Sequence, residues 1–243
     1  MAQLPAGQGT HMRVDECSLA IADWSWPLAQ RHDAEIALAW QRRQAEAGGF
    51  FDGPVYLFKD YVIDAGRLVG TMFRTDFKTL LYFRALPFAA SDSVREASGA
   101  SLIRSAEGHL LFGRQAPGQL NSGRIYPPSG VIDADDVAGD RIDIEASIVR
   151  ELGEETGLLP ADFERVPGYV LALVGVHVAI GVEWRSQLPA VELRERILDF
   201  LRPQASPELE DIVIVRSEAQ LADQKAPPHA RVFARALLGA DCP

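Results

Sequence analysis

Cysteine is nearly missing from this chain: two thiols among 243 residues, Cys17 and Cys242, lie near opposite ends. With no paired spacing they offer neither a disulfide framework nor a zinc pattern, and a reducing, cytoplasmic setting is the expectation. Basic residues are scarce as well. Twenty-four Lys and Arg stand against 34 Asp and Glu, a formal charge of -10, so no surface attraction to nucleic acid or anionic lipid is expected. The longest apolar run, Gly168 to Val182, carries His177 in its middle and falls short of the roughly 20 residues that span a bilayer. No basic start followed by an apolar stretch marks a secretion signal, and residues 1–12 read as a flexible leader or tag.

What is present is an ordinary globular composition, 47% hydrophobic and 24% charged, enough for one large domain or two small ones. Arg13 to Ala22 reads as a strand and Pro27 to Ala47 as a helix stopped by Gly48-Gly49. Tyr56 to Ile63 and Leu68 to Phe73 flank Asp64-Ala65-Gly66 as a hairpin, followed by a short helix through Phe77 to Phe83. The small, polar stretch Pro87 to Ser98 reads as a linker. It divides a β-rich N-terminal α/β unit, residues 13–95, from a second unit, residues 96–243. In the second unit, strands are expected at Ala100 to Ser105, Leu110 to Arg114, within Tyr169 to Trp184 and at Ile212 to Val215. Helices are expected from about Ile142 to Gly157, at Val191 to Leu201 and at His229 to Leu238. A long loop, Pro117 to Gly139, precedes the first of these helices. Strands and helices mix without regular alternation, which points to a mixed sheet flanked by helices.

The chemistry concentrates in Arg150-Glu151-Leu152-Gly153-Glu154-Glu155-Thr156-Gly157-Leu158. At about 100° per residue, Glu151, Glu154 and Glu155 share one helical face, and Glu155 falls between Ile144 and Ile148, inside the stripe that should meet the core. Acids three and four apart repel, acids in a last helical turn oppose its dipole, and a buried carboxylate is expensive unless something compensates it. A divalent cation reverses all three costs, because converging hard oxygens are what Mg²⁺ or Mn²⁺ requires. Arg150 can orient one carboxylate. The opposing reading is a solvated acidic helix end, which fits a bare Glu pair better than the whole string.

That string resembles the second half of the Nudix box, with Arg150, Glu151, Leu152, Glu154, Glu155, Gly157 and Leu158 in the matching positions. Counted back in strict register, the box's first Glu falls on Ile142 and its Gly on Asp136. If Tyr126-Pro127-Pro128-Ser129-Gly130 is the usual strand and turn, about six extra residues precede the helix, and the roles of Asp140 and Asp143 stay open. The likeness covers roughly Gly99 to Leu238. It implies an α/β/α sandwich with a mixed sheet, preceded here by the small β-rich unit. It further implies a Mg²⁺ or Mn²⁺ cofactor, metal ligation by Glu154 and Glu155, and Glu151 as a further ligand or water-activating group. Glu208 or Glu210 is the candidate distal acid, and Ser129-Gly130 is the substrate-side turn. The implied reaction is hydrolysis of a nucleoside diphosphate linked to another moiety. The alternative is a Nudix-like module that binds such a nucleotide without cleaving it.

The run Gly49 to Leu57, with Leu68 to Phe73 and Thr75 to Lys78, is similar to the region before the catalytic domain of animal UDP-glucose diphosphatases. That resemblance implies a nucleotide sugar, with aromatics of the N-terminal unit as walls for base or sugar. Phe50, Phe51, Tyr56, Tyr61 and Tyr82 are the candidates for stacking, against the ordinary role of core filling. His109, His177 and His229 lack metal spacing and are read as structural. Arg74, Arg114 and Arg124 are candidates for phosphate contact or for surface pairing. The loop Ser129 to Asp140, with Asp133, Asp135, Asp136 and Asp140, is expected to be mobile and near the substrate.

Overall fold

A computed structural model describes residues 9–47, 49–87, 93–222 and 224–239. Two sheets organise them. The larger contains β1 (Thr10–Val14), β12 (Tyr169–Val174), β13 (His177–Arg185), β5 (Glu96–Arg104), β6 (Leu110–Gln115) and β14 (Leu209–Val215), in that spatial order. Short strands β7 (Ile125–Tyr126), β8 (Ser129–Val131) and β11 (Glu164–Arg165) attach to β6, β5 and β13. The parallel pair β5–β13 lies at its centre, in register from Glu96 with His177 to Arg104 with Arg185.

Alternation along these strands builds the layers, because successive side chains leave opposite faces. Ile103, Leu111, Ile180 and Val182 pack with Ile148 and Leu152 of α4 (Ile144–Thr156) and with Leu193 and Ile197 of α5 (Ala190–Leu201). Their neighbours Leu102, Phe112 and Ala179 pack with Phe233, Ala234 and Leu237 of α6 (Pro228–Leu238). Helices therefore cover both faces of one mixed sheet, the α/β/α sandwich expected.

The second sheet runs β3 (Pro54–Asp64), β4 (Arg67–Asp76), β2 (Glu16–Ile21), β10 (Arg141–Ile142), β9 (Val137–Ala138). Ala65 and Gly66, with φ of 47° and 75°, turn β3 into β4, the pair of left-handed residues a tight hairpin needs. Helices α1 (Pro27–Arg31), α2 (Asp33–Ala47) and α3 (Phe77–Arg84) close this side. Trp26, Leu57, Phe73, Leu80 and Phe83 form its own apolar cluster.

Several boundaries differ from the sequence expectation. The strand expected over Arg13 to Ala22 is divided at Asp15 between the two sheets, and the helix over Pro27 to Ala47 is interrupted at His32. Residues 1–8 of the expected leader lie outside the described residues, whereas Thr10 to Val14 pair with Leu173 to Tyr169. The end of the expected linker is structured: Val94 is buried, Arg95 exchanges backbone hydrogen bonds with Phe58 of β3, and Glu96 to Ser98 begin β5 of the large sheet. Residues 88–92 of that linker lie outside the described residues. The units expected at 13–95 and 96–243 also exchange strands, since β1 joins the large sheet and β9–β10 the small one. Polar composition concealed this at Glu96 and Ser98, whose polar side chains find partners in Arg84 and His177.

The extra residues before α4 are likewise not a free loop. After β8 comes a 3-10 turn, Ala134–Asp136, and then the β9–β10 hairpin, zipped to β2 through Arg141 with Ala20 and Ile142 with Leu19. Two-residue strands leave too little alternation to be seen in sequence. No helix among the described residues is long and apolar enough to cross a membrane.

Candidate active site

Helix α4 starts on Asp143, whose carboxylate accepts the Ala146 N–H at 3.0 Å. It ends on Gly157 at φ 69°, whose N–H returns to Gly153 O, the left-handed stop read from the sequence. A side chain at Gly157 would also meet Phe200 of α5. These two ends fix the helix in length and rotation. Glu155 lies on the buried side with Ile148 and Leu152, where the helical period puts it; Glu151 is buried beside it, and Glu154 of the same face stays exposed.

Glu155 is 1% exposed. Its Oε1 accepts the Ser129 N–H at 3.1 Å, and its Oε2 is buried with no partner. Glu151 lies against the turn at Gly130. A Cβ on Gly130 would stand 2.2 Å from Glu151 Oε1, so only glycine lets the carboxylate approach the backbone this closely. Burial raises the Glu155 carboxyl well above its ordinary range, reinforced by the charges of Glu208 and Glu151. Burial also lifts Glu151 to about 7, with Glu208, Glu154 and Asp136 adding to the rise and Arg150 opposing it.

Arg150 holds four carboxylates. Its Nη1 donates to Glu151 at 3.1 Å and Glu154 at 3.3 Å, and its Nη2 reaches Asp136 at 3.0 Å and Asp133 at 3.5 Å. Asp136, at the position where strict counting puts the box's glycine, is buried and caps its own 3-10 turn by accepting the Asp133 N–H. Sequence reasoning gave Arg150 one carboxylate to orient and missed Asp133 and Asp136, which reach it only through the fold of the insertion.

The two candidate distal acids separate. Glu208 faces the cluster, where burial and the Glu154 charge raise its carboxyl, and its own charge raises Glu151 and Glu155. Glu210, two residues on, is directed to Arg114, with 4.0 Å between Nε and Oε1. Among the described residues no side-chain hydrogen bond or ion pair joins Asp140 to the cluster, and Asp143 serves as the helix cap. Among the described residues, no three His, Cys, Asp or Glu side chains already converge tightly enough to enclose a metal ion.

Ser129 and Gly130 also border a cavity of about 610 Å³. It opens where the large sheet divides: β5 and β6 pair at Arg104 and Leu110, then β5 continues with β8 and β6 with β7. Tyr126, His177 and His229 line it, together with Arg84 and Leu81 of α3 and Arg124 of the preceding loop. Two of the three histidines read as structural, His177 and His229, thus face a cavity, and His109 does not line it. Of the aromatics expected as walls for base or sugar, Tyr56 is buried in the core, Tyr61 packs on Phe58, Tyr82 bonds Glu35 and His32, and Phe51 is exposed; neither these nor Phe50 line this cavity. The N-terminal unit contributes α2 and α3 instead.

No protein-family model matches the chain, and no curated protein does. Solved structures do match. Nudix hydrolases are among those it is similar to. RenU, a Nudix hydrolase from M. smegmatis, is 20% identical over 61% of this chain and 88% of its own, with a TM-score of 0.39. The MutT protein of Methanosarcina mazei is 19% identical over 61% and 96%, with a TM-score of 0.40. A bifunctional NMN adenylyltransferase/ADP ribose pyrophosphatase from Francisella tularensis, complexed with AMP and a Mn ion, is 15% identical over 67% and 45%, with a TM-score of 0.42.

Proposed function

We propose that this chain is a Nudix-type hydrolase that cleaves the diphosphate of a nucleoside diphosphate derivative, with a nucleotide sugar as the leading substrate class. The observation that carries the reading is Glu155, a buried carboxylate with one oxygen held by the Ser129 N–H and the other without a partner. Such an atom costs stability unless a cation completes it. The donors around it are all carboxylate oxygens, the chemistry that Mg²⁺ or Mn²⁺ prefers. Glu151, Glu154 and Glu155 are the ligand set, with Glu208 as the distal acid. A bound cation neutralises the diphosphate and makes hydroxide available near neutral pH. The protein's own part is to hold these acids in place: Arg150 orients Glu151 and Glu154, and the Ser129-Gly130 turn fixes the buried pair from below.

The reading as a non-cleaving nucleotide module draws on Ile142 and Asp136, which occupy two positions of the box with the wrong chemistry. One experiment separates the two. Purified protein is incubated with a panel of nucleoside diphosphate derivatives, with Mg²⁺ or with chelator, and release of nucleoside monophosphate is followed. Metal-dependent release supports the enzyme. Binding without release on every substrate supports the module, and full release in chelator refutes the metal role.

A further inference from the structure

The cavity holds a second polar centre that hydrolysis of the diphosphate does not use. It lies at the first residues of the parallel pair β5–β13, on the face covered by α6. Glu96 is buried there, with both oxygens engaged by Arg84 of α3, the Nε to Oε2 contact measuring 3.0 Å. His177, opposite Glu96 in register, bonds Ser98 Oγ through Nε2 at 2.8 Å. The His229 ring packs edge-on to His177 at 4.8 Å and beside Tyr126 at 5.9 Å. No side-chain hydrogen bond engages it among the described residues.

Burial holds both imidazoles below their ordinary pKa, His229 well below. At neutral pH each therefore carries one donor and one acceptor nitrogen. Arg84 and Glu96 cancel in charge. This polar centre is thus uncharged overall yet dense in closely spaced hydrogen-bonding groups, in a cavity within the roughly 300–1,000 Å³ range of small-molecule sites; Arg43 and Arg124, which also line the cavity, border its neighbouring hollows as well. An alkyl chain would leave these groups unpaired, at a cost. A second phosphate would go to Arg43 or Arg124 rather than to this centre, whose own cation, Arg84, is already neutralised by Glu96. A base needs a free ring face, and these rings pack steeply against one another, at 78° and 60°. A ring bearing several hydroxyls matches all of it.

We propose that His177, His229, Ser98 and the Arg84–Glu96 pair bind the sugar ring of a nucleotide sugar, a proposal that rests on the hydrolase reading above. The diphosphate then lies at the Ser129-Gly130 turn, which borders both the carboxylates and this cavity. Arg84 and Leu81 make the N-terminal unit part of the specificity site rather than an appended module.

The test compares UDP-glucose, UDP-N-acetylglucosamine and ADP-glucose in Mg²⁺, with the wild type and with His177→Gln, His229→Gln and Leu81→Trp. The first two substrates differ only in the sugar, the first and third only in the base. Each histidine variant should raise KM for UDP-glucose about tenfold, equivalent to about 1.4 kcal/mol, with kcat nearly kept. The preference between the two sugars should shift and that between the two bases should not. Leu81→Trp leaves the polar groups intact and narrows the cavity, so it should penalise the bulkier N-acetyl sugar most. It keeps the test decisive should His177→Gln fail to fold. Turnover by the wild type with a change confined to the base preference, or with equal losses on all three substrates, overturns the sugar assignment alone. No turnover of any nucleotide by the wild type overturns the hydrolase reading and this assignment with it.

Discussion

Removing one negative charge from the candidate active site should make the metal-free protein more stable, by an amount that depends on pH. The change is Glu151→Gln. Burial and its acidic neighbours raise the Glu151 carboxyl from an ordinary 4.5 to about 7, and its side chain is only 12% exposed. A carboxylate whose folded pKa is raised holds its proton more tightly in the native state. Its ionisation therefore costs nothing below the unfolded value and costs progressively more as pH climbs through the folded one. At about 1.4 kcal/mol per pH unit, the span from 4.5 to 7 amounts to about 3 kcal/mol. Urea unfolding in chelator at pH 4.5 should find the wild type and Glu151→Gln close together. At pH 8 the variant should lead by about 3 kcal/mol. Adding Mg²⁺ should then stabilise the wild type by RT ln(1 + [L]/Kd) and the variant less. A gap between the two proteins that is the same at both pH values would refute the assigned burial, and a gap that grows but ignores Mg²⁺ would refute the cation.

Gly130→Ala should cut kcat at least tenfold while the protein remains folded, because the new methyl takes the place of Glu151 Oε1; an unchanged rate would show that Glu151 has room to spare. Glu208→Gln should lower turnover far more than Glu210→Gln, since only the former faces the carboxylates, and equal effects in steady-state assays would count against Glu208 as the distal acid. Glu96 is the reverse case of Glu151: the Arg84 guanidinium, joined in acid by protonated His177, holds its carboxyl down to about 2 against burial. Its stabilising effect is present above 4.5 and lost as pH falls through about 2. Glu96→Gln should thus cost roughly 3 kcal/mol at pH 7, with the gap closing in acid unfolding curves. Arg150→Lys should keep the charge but not the fork that reaches four carboxylates, so kcat should fall severalfold or more; wild-type kinetics would show that the arginine is not a positioning residue.

The carboxylate helix was legible because its logic is local. A period of 3.6, a left-handed glycine and the clash of three acids all sit within fourteen residues, and Glu155 went to the buried side where that period placed it. The sandwich was legible for the same reason, strand by strand. What escaped the sequence is what depends on distant segments meeting. Asp136 reaches Arg150 only because the insertion folds into a hairpin that pairs with β2. Glu96, His177 and His229 become neighbours through a parallel strand pair and a helix start more than fifty residues further on, and no spacing in the chain announces it. The linker reading failed at Glu96 and Ser98, where polar residues sit inside a sheet because their partners come from elsewhere.

Strand exchange between the sheets bears on how the chain is made. β1 leaves the ribosome well before its partner β12, which begins at Tyr169, and the edge of β2 waits for β10 at Arg141. Until those residues emerge, neither sheet can finish, and the early product carries open strand edges of the kind that pair with other chains. Synthesis rate and chaperone supply should accordingly govern the yield of soluble protein. A version cut after residue 95 should aggregate where an independent domain would fold. Mixing the two separately expressed halves during refolding, and finding more soluble material than either gives alone, is the behaviour this wiring demands.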